Sequence, residues 1–387
     1  MTRERAVALL GYGLFVVVLG VPDGGIGVLW PSMRHSLDRP LADLGLLVFV
    51  GAACYVATSA VTGWVVTRFG VSRTVLLAVA VSTLAFAGWS VASLWGLVLL
   101  LVGLLGLARG WIDSGINAYT AHVGTVGQMG VLHAMYGLGA TLAPLLVTAA
   151  LVLGVGWRPV IGLFALLSGC LLVGAVRIRR AWSPLVVDAG NANDELQPLA
   201  PARVAVPASL VVFFCYTAVE VATGAWAFVL LTDGRGLDRG VAGVAVASYW
   251  AALTGGRLLL GWRGDRVAAP LILRASWAVA LGGLLLLWVA PTPLAPFGLP
   301  IEGLGLAAIF PVLVALTPAR VGPDRAPKAI GLSIAAAALG GPALTALAGA
   351  VASAYGVEAI AVVLVAAGGA LAASEIALAR VAPVPSA

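Results

Sequence analysis

The stretch WGLVLLLVGLLGLARGWIDSGINAYTA, residues 95–121, joins a long apolar run to three strongly polar side chains. Arg109, Asp113 and Asn117 follow the run at intervals of four residues, which places them on one face of a helix. Because about 20 apolar residues cross the hydrocarbon core of a bilayer, the stretch predicts a membrane-spanning helix with a polar face. An Asp or Arg near the centre of such a helix costs about 2.5–3.5 kcal/mol on insertion scales, so charged residues there indicate a functional site.

The composition of the whole chain predicts an integral membrane protein. Of its 387 residues, 61% are hydrophobic and only 10% are charged, whereas a soluble globular protein is about 25% charged. The formal net charge of +6 comes from basic residues in short separated loops. We interpret them as topology signals and expect no nucleic-acid partner. The start of the chain has no obvious A-x-A cleavage site, which favours a retained first helix over a signal peptide.

Twelve apolar runs of membrane-spanning length follow one another between breaks of charge, proline and glycine. They predict an all-α integral membrane protein whose helices cover residues 6–30, 42–66, 74–93, 95–120, 129–153, 157–176, 207–231, 240–262, 270–290, 294–318, 328–353 and 357–379. Within the fourth run, Gly106 and Gly110 predict close packing against a neighbouring helix.

The basic residues of the loops support this count. If the N-terminus is cytoplasmic, fifteen basic residues lie inside and five outside, as the positive-inside rule requires. The inside set is Arg3, Arg5, Arg68, Arg73, Arg177, Arg179, Arg180, Arg203, Arg263, Arg266, Arg274, Arg320, Arg325, Lys328 and Arg380, and the outside set is Arg34, Arg39, Arg158, Arg235 and Arg239. We therefore expect a multi-pass protein of a bacterial inner (cell) membrane with both termini cytoplasmic.

The longest polar stretch, RIRRAWSPLVVDAGNANDELQPLAPARV, lies between the sixth and seventh runs and is typical of a flexible linker. It divides the chain into an N-terminal six-helix half (residues 1–176), a cytoplasmic linker (177–206) and a C-terminal half (207–387). A weak repeat relates the halves, because GWVVTRFGVSR in the first is echoed by GWRGDR in the second. Two such halves indicate a rocking transporter with its site at their interface.

These loop sequences resemble the signature that follows the second helix in the major facilitator superfamily, although Thr67 replaces the expected acid in the first copy. The resemblance implies two pseudo-symmetric six-helix halves. It also implies a cytoplasmic gate formed by Gly63, Arg68, Gly70, Arg73, Gly261, Asp265 and Arg266. In the fourth helix, Arg109 and Gly115 meet part of a second superfamily motif.

Three further stretches are similar to the fucose-permease-like group of sugar–proton symporters and its actinobacterial relatives. They are VPDGGIGVLWPSM, IDSGINAY and LHAMYGLGATLAPLL, in the first, fourth and fifth helices. That group couples sugar uptake to protons through carboxylates of the first and fourth helices. The resemblance therefore implies proton coupling at Asp23 and Asp113.

From the residues alone, Asp113 is the first candidate for a titrating carboxylate tuned by Arg109, and the alternative is a structural Arg109–Asp113 ion pair. Asp23 is the second candidate. The sequence PDGG around it predicts a broken or kinked helix, which near the membrane centre lines a cavity. The predicted depths of the two acids differ by about 13 Å at 1.5 Å per residue, which favours two stations on a proton path over a shared pair.

In the second half, Glu220 lies near the predicted centre of its helix. It is a candidate proton site or hydrogen-bond acceptor for a substrate, and the alternative is a structural acid paired with Arg257 or a tyrosine. Arg257 and Glu302 are interpreted as structural. Asn117 and His133 are candidates for orienting a polar substrate, although either can serve packing. Aromatic rings that can stack on a sugar, or serve packing instead, belong to Tyr119, Tyr136, Trp226 and Trp250.

The sequence lacks a G-x-x-x-x-G-K-[ST] phosphate loop, metal-ligand spacing and a G-x-S-x-G elbow, so we expect no enzyme activity, cofactor or metal. The favoured hypothesis is a proton-coupled symporter of a small polar solute, a sugar, that acts as a monomer in the lipid bilayer. The alternative is a proton-coupled exporter of a hydrophobic metabolite or drug. A non-transporting sensor or membrane enzyme has no supporting motif.

Overall fold

The computed structural model describes residues 3–123, 126–182, 202–263, 267–322 and 325–383. Every regular element within these ranges is helical. In chain order, helices α1 to α12 cover Arg3–Ser36, Asp43–Phe69, Val71–Val91, Trp95–Val123, Val126–Val152, Trp157–Arg177, Arg203–Gly234, Arg239–Arg263, Ala269–Val289, Ala295–Val321, Ala326–Tyr355 and Ala359–Val381.

Eleven of these helices are long and apolar enough to cross a membrane, judged by length and composition over the described residues. The remaining helix, α8, has 25 residues and is therefore about 37 Å long, but its polar side chains lower its hydropathy. It coincides with the predicted run 240–262. The prediction of twelve helices is confirmed, and most helices extend a few residues beyond their apolar runs because polar turns continue them.

The chain forms two compact units, Met1–Asp188 and Ala189–Ala387. The first contains α1 to α6 and the second α7 to α12. The linker predicted over residues 177–206 lies mostly outside the described residues, so its limits stay a prediction.

In the first unit, α6 runs in the opposite direction to α1 and α3. At one end of the unit, Trp157 Nε1 at the start of α6 donates to Ser36 Oγ at the end of α1, over 2.7 Å. At the other end, Ser72 Oγ at the start of α3 donates over 2.7 Å to the carbonyl oxygen of Arg179, just beyond α6. Each contact joins the end of one helix to the start of another, as an up-and-down bundle requires.

One arginine makes the equivalent contacts in the second unit. Arg235, which follows α7, donates to the carbonyl oxygens of Trp288 and Ala290 at the end of α9, over 2.6 and 3.1 Å. Its Nε also lies 3.2 Å from Glu358 Oε1 at the start of α12. Three helices are thereby tied together at one end of the unit.

Helix α1 continues through PDGG, so the break given by the sequence interpretation is wrong, and the kink given as its alternative stays a prediction. A π-helical segment, Phe15–Gly20, precedes the motif, and the α-helix then continues through Pro22 to Ser36. Proline follows the irregular segment directly, where its missing N–H costs little. The first glycine of the motif, Gly24, allows close helix packing, because a Cβ at this position would collide with the backbone of Ala140 on α5.

Candidate functional site

The first cluster of intramembrane polar groups joins α1, α4 and α5. Arg109 Nη2 on α4 lies 2.6 Å from Asp23 Oδ2 on α1 and also donates to the carbonyl oxygen of Leu19 over 3.2 Å. Tyr136 on α5 donates to the same carboxylate oxygen over 3.0 Å. Arg109 is thus committed to Asp23, and the alternative of a structural Arg109–Asp113 pair is wrong. The reason is geometric, since Leu19 and Asp23 lie one turn apart on the α1 face that meets Arg109.

The second cluster surrounds Asp113, one turn further along α4. Tyr55 on α2 donates its hydroxyl proton to Asp113 Oδ2, and Asn117 Nδ2 donates to Asp113 Oδ1 over 2.8 Å. Both carboxylate oxygens are therefore held by neutral donors. Asn117 Oδ1 is buried and accepts no hydrogen bond from the described residues. The expected shared face of α4 thus carries an aspartate and a free amide acceptor.

Close packing of α2 on α4 brings Tyr55 to this aspartate. A Cβ added to Gly110 would lie 2.5 Å from the carbonyl oxygen of Tyr55, and one added to Gly106 would collide with the backbone of Gly51. Such separations are shorter than any real side chain permits, so the small residues of α4 set the distance between the two helices.

His133 on α5 completes the surroundings of Asp113. It interacts electrostatically with that aspartate, and its ring meets the ring of Phe15 edge to face at 6.0 Å between centroids. His133 is exposed in the structure. It was chosen from the sequence as a residue that can orient a substrate or relay protons, and this role stays a prediction.

Tyr119 lies apart from both clusters, at the end of α4. It is 5% exposed and packs edge to face on Trp182, with ring centroids 4.8 Å apart. The two rings border a small cavity of about 60 Å³ in the first unit that Glu4, Tyr12 and Gln128 also line. The structure therefore gives Tyr119 aromatic packing beside a partly polar cavity.

In the second unit, Glu220 on α7 is paired with Arg257 on α8. Arg257 Nη2 lies 2.9 Å from Glu220 Oε1 and donates to Tyr216 Oη over 3.0 Å. Tyr249 donates its hydroxyl proton to the Glu220 carbonyl oxygen over 2.9 Å. Glu220 thus has the arginine partner that the sequence analysis gave as its structural alternative. A role of Glu220 in proton coupling stays a prediction.

The two candidate tryptophans of this unit are buried. Trp226 has no exposed surface, and its Nε1 donates to the carbonyl oxygen of Thr345 over 2.9 Å. Trp250 is 3% exposed and meets Tyr249 edge to face at 5.2 Å. A solute reaches either ring only if neighbouring side chains move.

The model of the Major Facilitator Superfamily matches residues 10–299 of the chain. The chain belongs to the major facilitator superfamily. It is therefore a multi-pass membrane transporter of small molecules and not an enzyme.

Individual members of the superfamily are similar to this one over most of their length. The glucose/mannose transporter GlcP of Bacillus subtilis is 22% identical over 361 residues, which cover 89% of this chain and 88% of that protein. The nucleoside transporter NupG has a similar structure, with a TM-score of 0.74 and 14% identity over the whole of both chains. FucP in the outward conformation gives a TM-score of 0.63 with 14% identity, over 97% of this chain and 98% of that one. At these identities the two structures show the fold alone.

The superfamily loop between α2 and α3 is a single tight turn. Gly70 forms it with φ of 81° and ψ of 151°, a backbone conformation that strongly favours glycine. Arg68 and Arg73 flank the turn and are exposed. Thr67, which stands in place of the family acid, donates to the carbonyl oxygen of Trp64 over 2.9 Å.

The structure provides no evidence for a gating role of the other residues expected at the cytoplasmic gate. A Cβ on Gly63 or Gly261 would touch nothing within 4 Å, so neither glycine serves close packing in this structure. Asp265 and Arg266 lie outside the described residues. The gate of this transporter stays a prediction.

Sequence reasoning named Tyr136 as a candidate and allowed a tyrosine partner for Glu220, but it missed Tyr55 and Tyr249. Tyr55, Tyr216 and Tyr249 lie in apolar runs, and helical spacing alone does not show which neighbouring helix each hydroxyl meets. A buried Tyr hydroxyl usually requires a partner, which is the signal that could have brought them into the search. The described residues contain no cluster of three or more His, Cys, Asp or Glu side chains that could hold a metal ion.

Proposed function

We propose that this transporter imports a small polar solute, a sugar, together with protons by alternating access. The observation that carries the proposal is the difference between two carboxyls of α1 and α4. Asp113 is held by the neutral donors of Tyr55 and Asn117, whereas Asp23 pairs with Arg109 at 2.6 Å. Ionisable residues inside a membrane bundle are functional by default, and these two are suited to different tasks.

Protonation has different consequences at the two acids. A proton on Asp113 removes a negative charge and leaves no cation without its partner. A proton on Asp23 leaves the Arg109 guanidinium without its counter-ion, which is costly in a membrane. We therefore assign proton uptake to Asp113 and a second station to Asp23, where protonation releases Arg109. A ligand or proton that binds one conformation better shifts the population toward it.

Solute binding is assigned to the polar groups next to Asp113. Asn117 Oδ1 is a buried acceptor without a donor among the described residues, and a sugar hydroxyl supplies such a donor. Unpaired buried polar atoms lower the affinity for analogues that cannot satisfy them. His133 and Tyr136 extend the polar surface of α5. The 22% identity with a glucose/mannose transporter over 361 residues supports a sugar as the first class of solute to test.

The test measures the pH of a lightly buffered suspension of energy-depleted cells that express the protein, while neutral sugars are added one at a time. Entry of a sugar with a proton makes the medium alkaline. Asp113→Asn should abolish the signal and retain exchange of labelled sugar across the membrane. Asp43→Asn is the matched control, because Asp43 lies at the start of α2 in a pair with Arg39 and should behave as the unmodified protein does.

Alkalinisation by one sugar that Asp113→Asn removes and Asp43→Asn retains is the expected result. Alkalinisation that survives Asp113→Asn would remove this aspartate from the coupling. No response to any sugar, with the protein present in the membrane, would reject sugar–proton symport. The same cells would then be tested for proton-coupled export of hydrophobic compounds.

A further inference from the structure

Glu302 on α10 is the most deeply buried acid among the described residues of the second unit. Its side chain has no exposed surface, and Oε1 accepts a hydrogen bond from Thr223 Oγ1 on α7 over 2.7 Å. Oε2 has no hydrogen-bond partner in the described part of the chain. The sequence interpretation treated this residue as structural, but a structural acid normally satisfies both of its oxygens.

Glycines allow the neighbouring helices to pack closely around Glu302. A Cβ on Gly283 of α9 would collide with the backbone nitrogen of Glu302, and a Cβ on Gly303 would collide with the carbonyl oxygen of Tyr249 on α8. The backbones of α8 and α9 therefore pack directly against α10 on either side of the carboxyl. The carboxyl is thereby buried from solvent in this structure.

The helices around Glu302 offer it no counter-ion. Tyr249 on α8 interacts electrostatically with Glu302, and the other titratable groups that interact with Tyr249 are Tyr216, Glu220 and Arg257. Arg257 is bound to Glu220 and to Tyr216, and the Tyr249 hydroxyl donates to the Glu220 carbonyl oxygen.

On α9 the described charged side chain is Arg274. It lies nine residues from Gly283, or about 13 Å along the helix, and interacts with Glu375. No Lys or Arg among the described residues therefore reaches the Glu302 carboxyl.

Two arguments identify the species that neutralises this carboxyl. An ionised carboxylate with a single hydrogen bond in an apolar site is strongly disfavoured. A bound metal ion would need several oxygen ligands, but the Thr223 hydroxyl is the sole partner within the described residues. A proton needs no further ligand.

We propose that Glu302 is a proton-binding site of the second unit, occupied in this conformation and emptied when α10 moves and admits water. The site is distinct from Asp113 and does not depend on which solute is carried. It rests on the proposed function in one respect, because a transport cycle supplies the movement that releases the proton.

Infrared spectroscopy of the full-length protein in lipid vesicles tests this site without a solute. We expect a carboxylic-acid C=O band at neutral pH that is absent in Glu302→Gln. Glu375→Gln is the matched control, since Glu375 is a second buried glutamate (4% exposed) in the same unit, and it should retain the band. Thr223→Val removes the hydrogen bond to Oε1 and should shift the band without abolishing it. This variant tests the assignment of the band even if the Glu302→Gln protein does not fold.

The expected pH response completes the test, because the Glu302 band should decrease reversibly as the medium is made alkaline. Identical spectra for the unmodified and Glu302→Gln proteins, or no shift in Thr223→Val, would show that Glu302 holds no proton. A band that stays constant up to the pH of unfolding would show a permanently protonated structural acid. Both results overturn the proposal, whether or not sugar–proton symport is found at Asp113.

Discussion

Arg109 forms its ion pair with Asp23 and not with Asp113, and this predicts the outcome of two double-mutant cycles. One cycle combines Asp23→Asn with Arg109→Gln, and the other combines Asp113→Asn with the same Arg109→Gln change. Each substitution removes a charge; Asp→Asn keeps the shape of the side chain, and Arg109→Gln shortens it and replaces the guanidinium by an amide. Residues that are in contact show non-additive effects, whereas independent residues add within about 0.3–0.5 kcal/mol.

The magnitude follows from the burial of the pair. Removing one partner of a fully buried ion pair costs about 3–5 kcal/mol, and an exposed pair contributes at most about 1 kcal/mol. Arg109 and Asp23 are 19% and 33% exposed and 2.6 Å apart, between these limits. We expect a coupling energy of about 2 kcal/mol for Asp23 with Arg109, and a smaller one for Asp113 with Arg109, because these two interact electrostatically without a direct ion pair.

Thermal unfolding of the purified protein in one detergent measures both cycles. For a unit of this size, 1 kcal/mol corresponds to about 2–4 °C in Tm. Each single change of the first cycle should lower Tm, and the double variant should lie about 4–8 °C above the value that additivity gives. A coupling of Arg109 with Asp113 equal to or greater than that with Asp23 would refute the pairing.

Three further predictions test packing and topology. Gly24→Ala should lower the free energy of unfolding by about 1–3 kcal/mol, because the new Cβ collides with the α5 backbone; Gly96→Ala, whose Cβ meets nothing within 4 Å, is the control, and equal melting temperatures would contradict the packing. Arg235→Ala should cost about 1.5–3 kcal/mol through its lost charged hydrogen bonds, whereas Arg239→Ala should cost less, and unfolding in denaturant compares the two. A cysteine that replaces Ala192 in a cysteine-free background should react with an impermeant thiol reagent only from the cytoplasmic side, and labelling of intact cells would overturn the predicted topology.

The helices and the shared face of α4 could be predicted from the sequence because they depend on features that are local in the chain. Run lengths and loop charges give the twelve spans, and spacing by four places Asn117 next to Asp113, where the structure forms a hydrogen bond of 2.8 Å. Spacing by four also made Asp113 the obvious partner of Arg109. The real partner lies on α1, and its position depends on how α1 crosses α4.

The remaining errors have the same origin. PDGG predicts a broken or kinked helix because proline and glycine interrupt helices in water, and the structure excludes the break. Inside a membrane an unpaired backbone group is so unfavourable that the helix persists, and the glycine permits close contact with α5. Thr223 was absent from the sequence analysis for a related reason, since its link to Glu302 joins residues 79 positions apart in the chain.

Four intramembrane acids divide into two kinds by whether an arginine is among their partners, and each unit contributes one acid of each kind to this set. Two acids are paired with arginine and two are held by a hydroxyl group; the pairs are Asp23 with Arg109 and Glu220 with Arg257, then Asp113 with Tyr55 and Glu302 with Thr223. An arginine pair is neutral only while both charges persist, so a proton on its acid leaves the arginine without a counter-ion. A hydroxyl donates to a carboxylate and can also remain in contact with a protonated acid, so the charge can change while the helices stay together. Proton uptake is therefore sought first at Asp113 and Glu302, whereas a proton on Asp23 should act by releasing Arg109 from its pair.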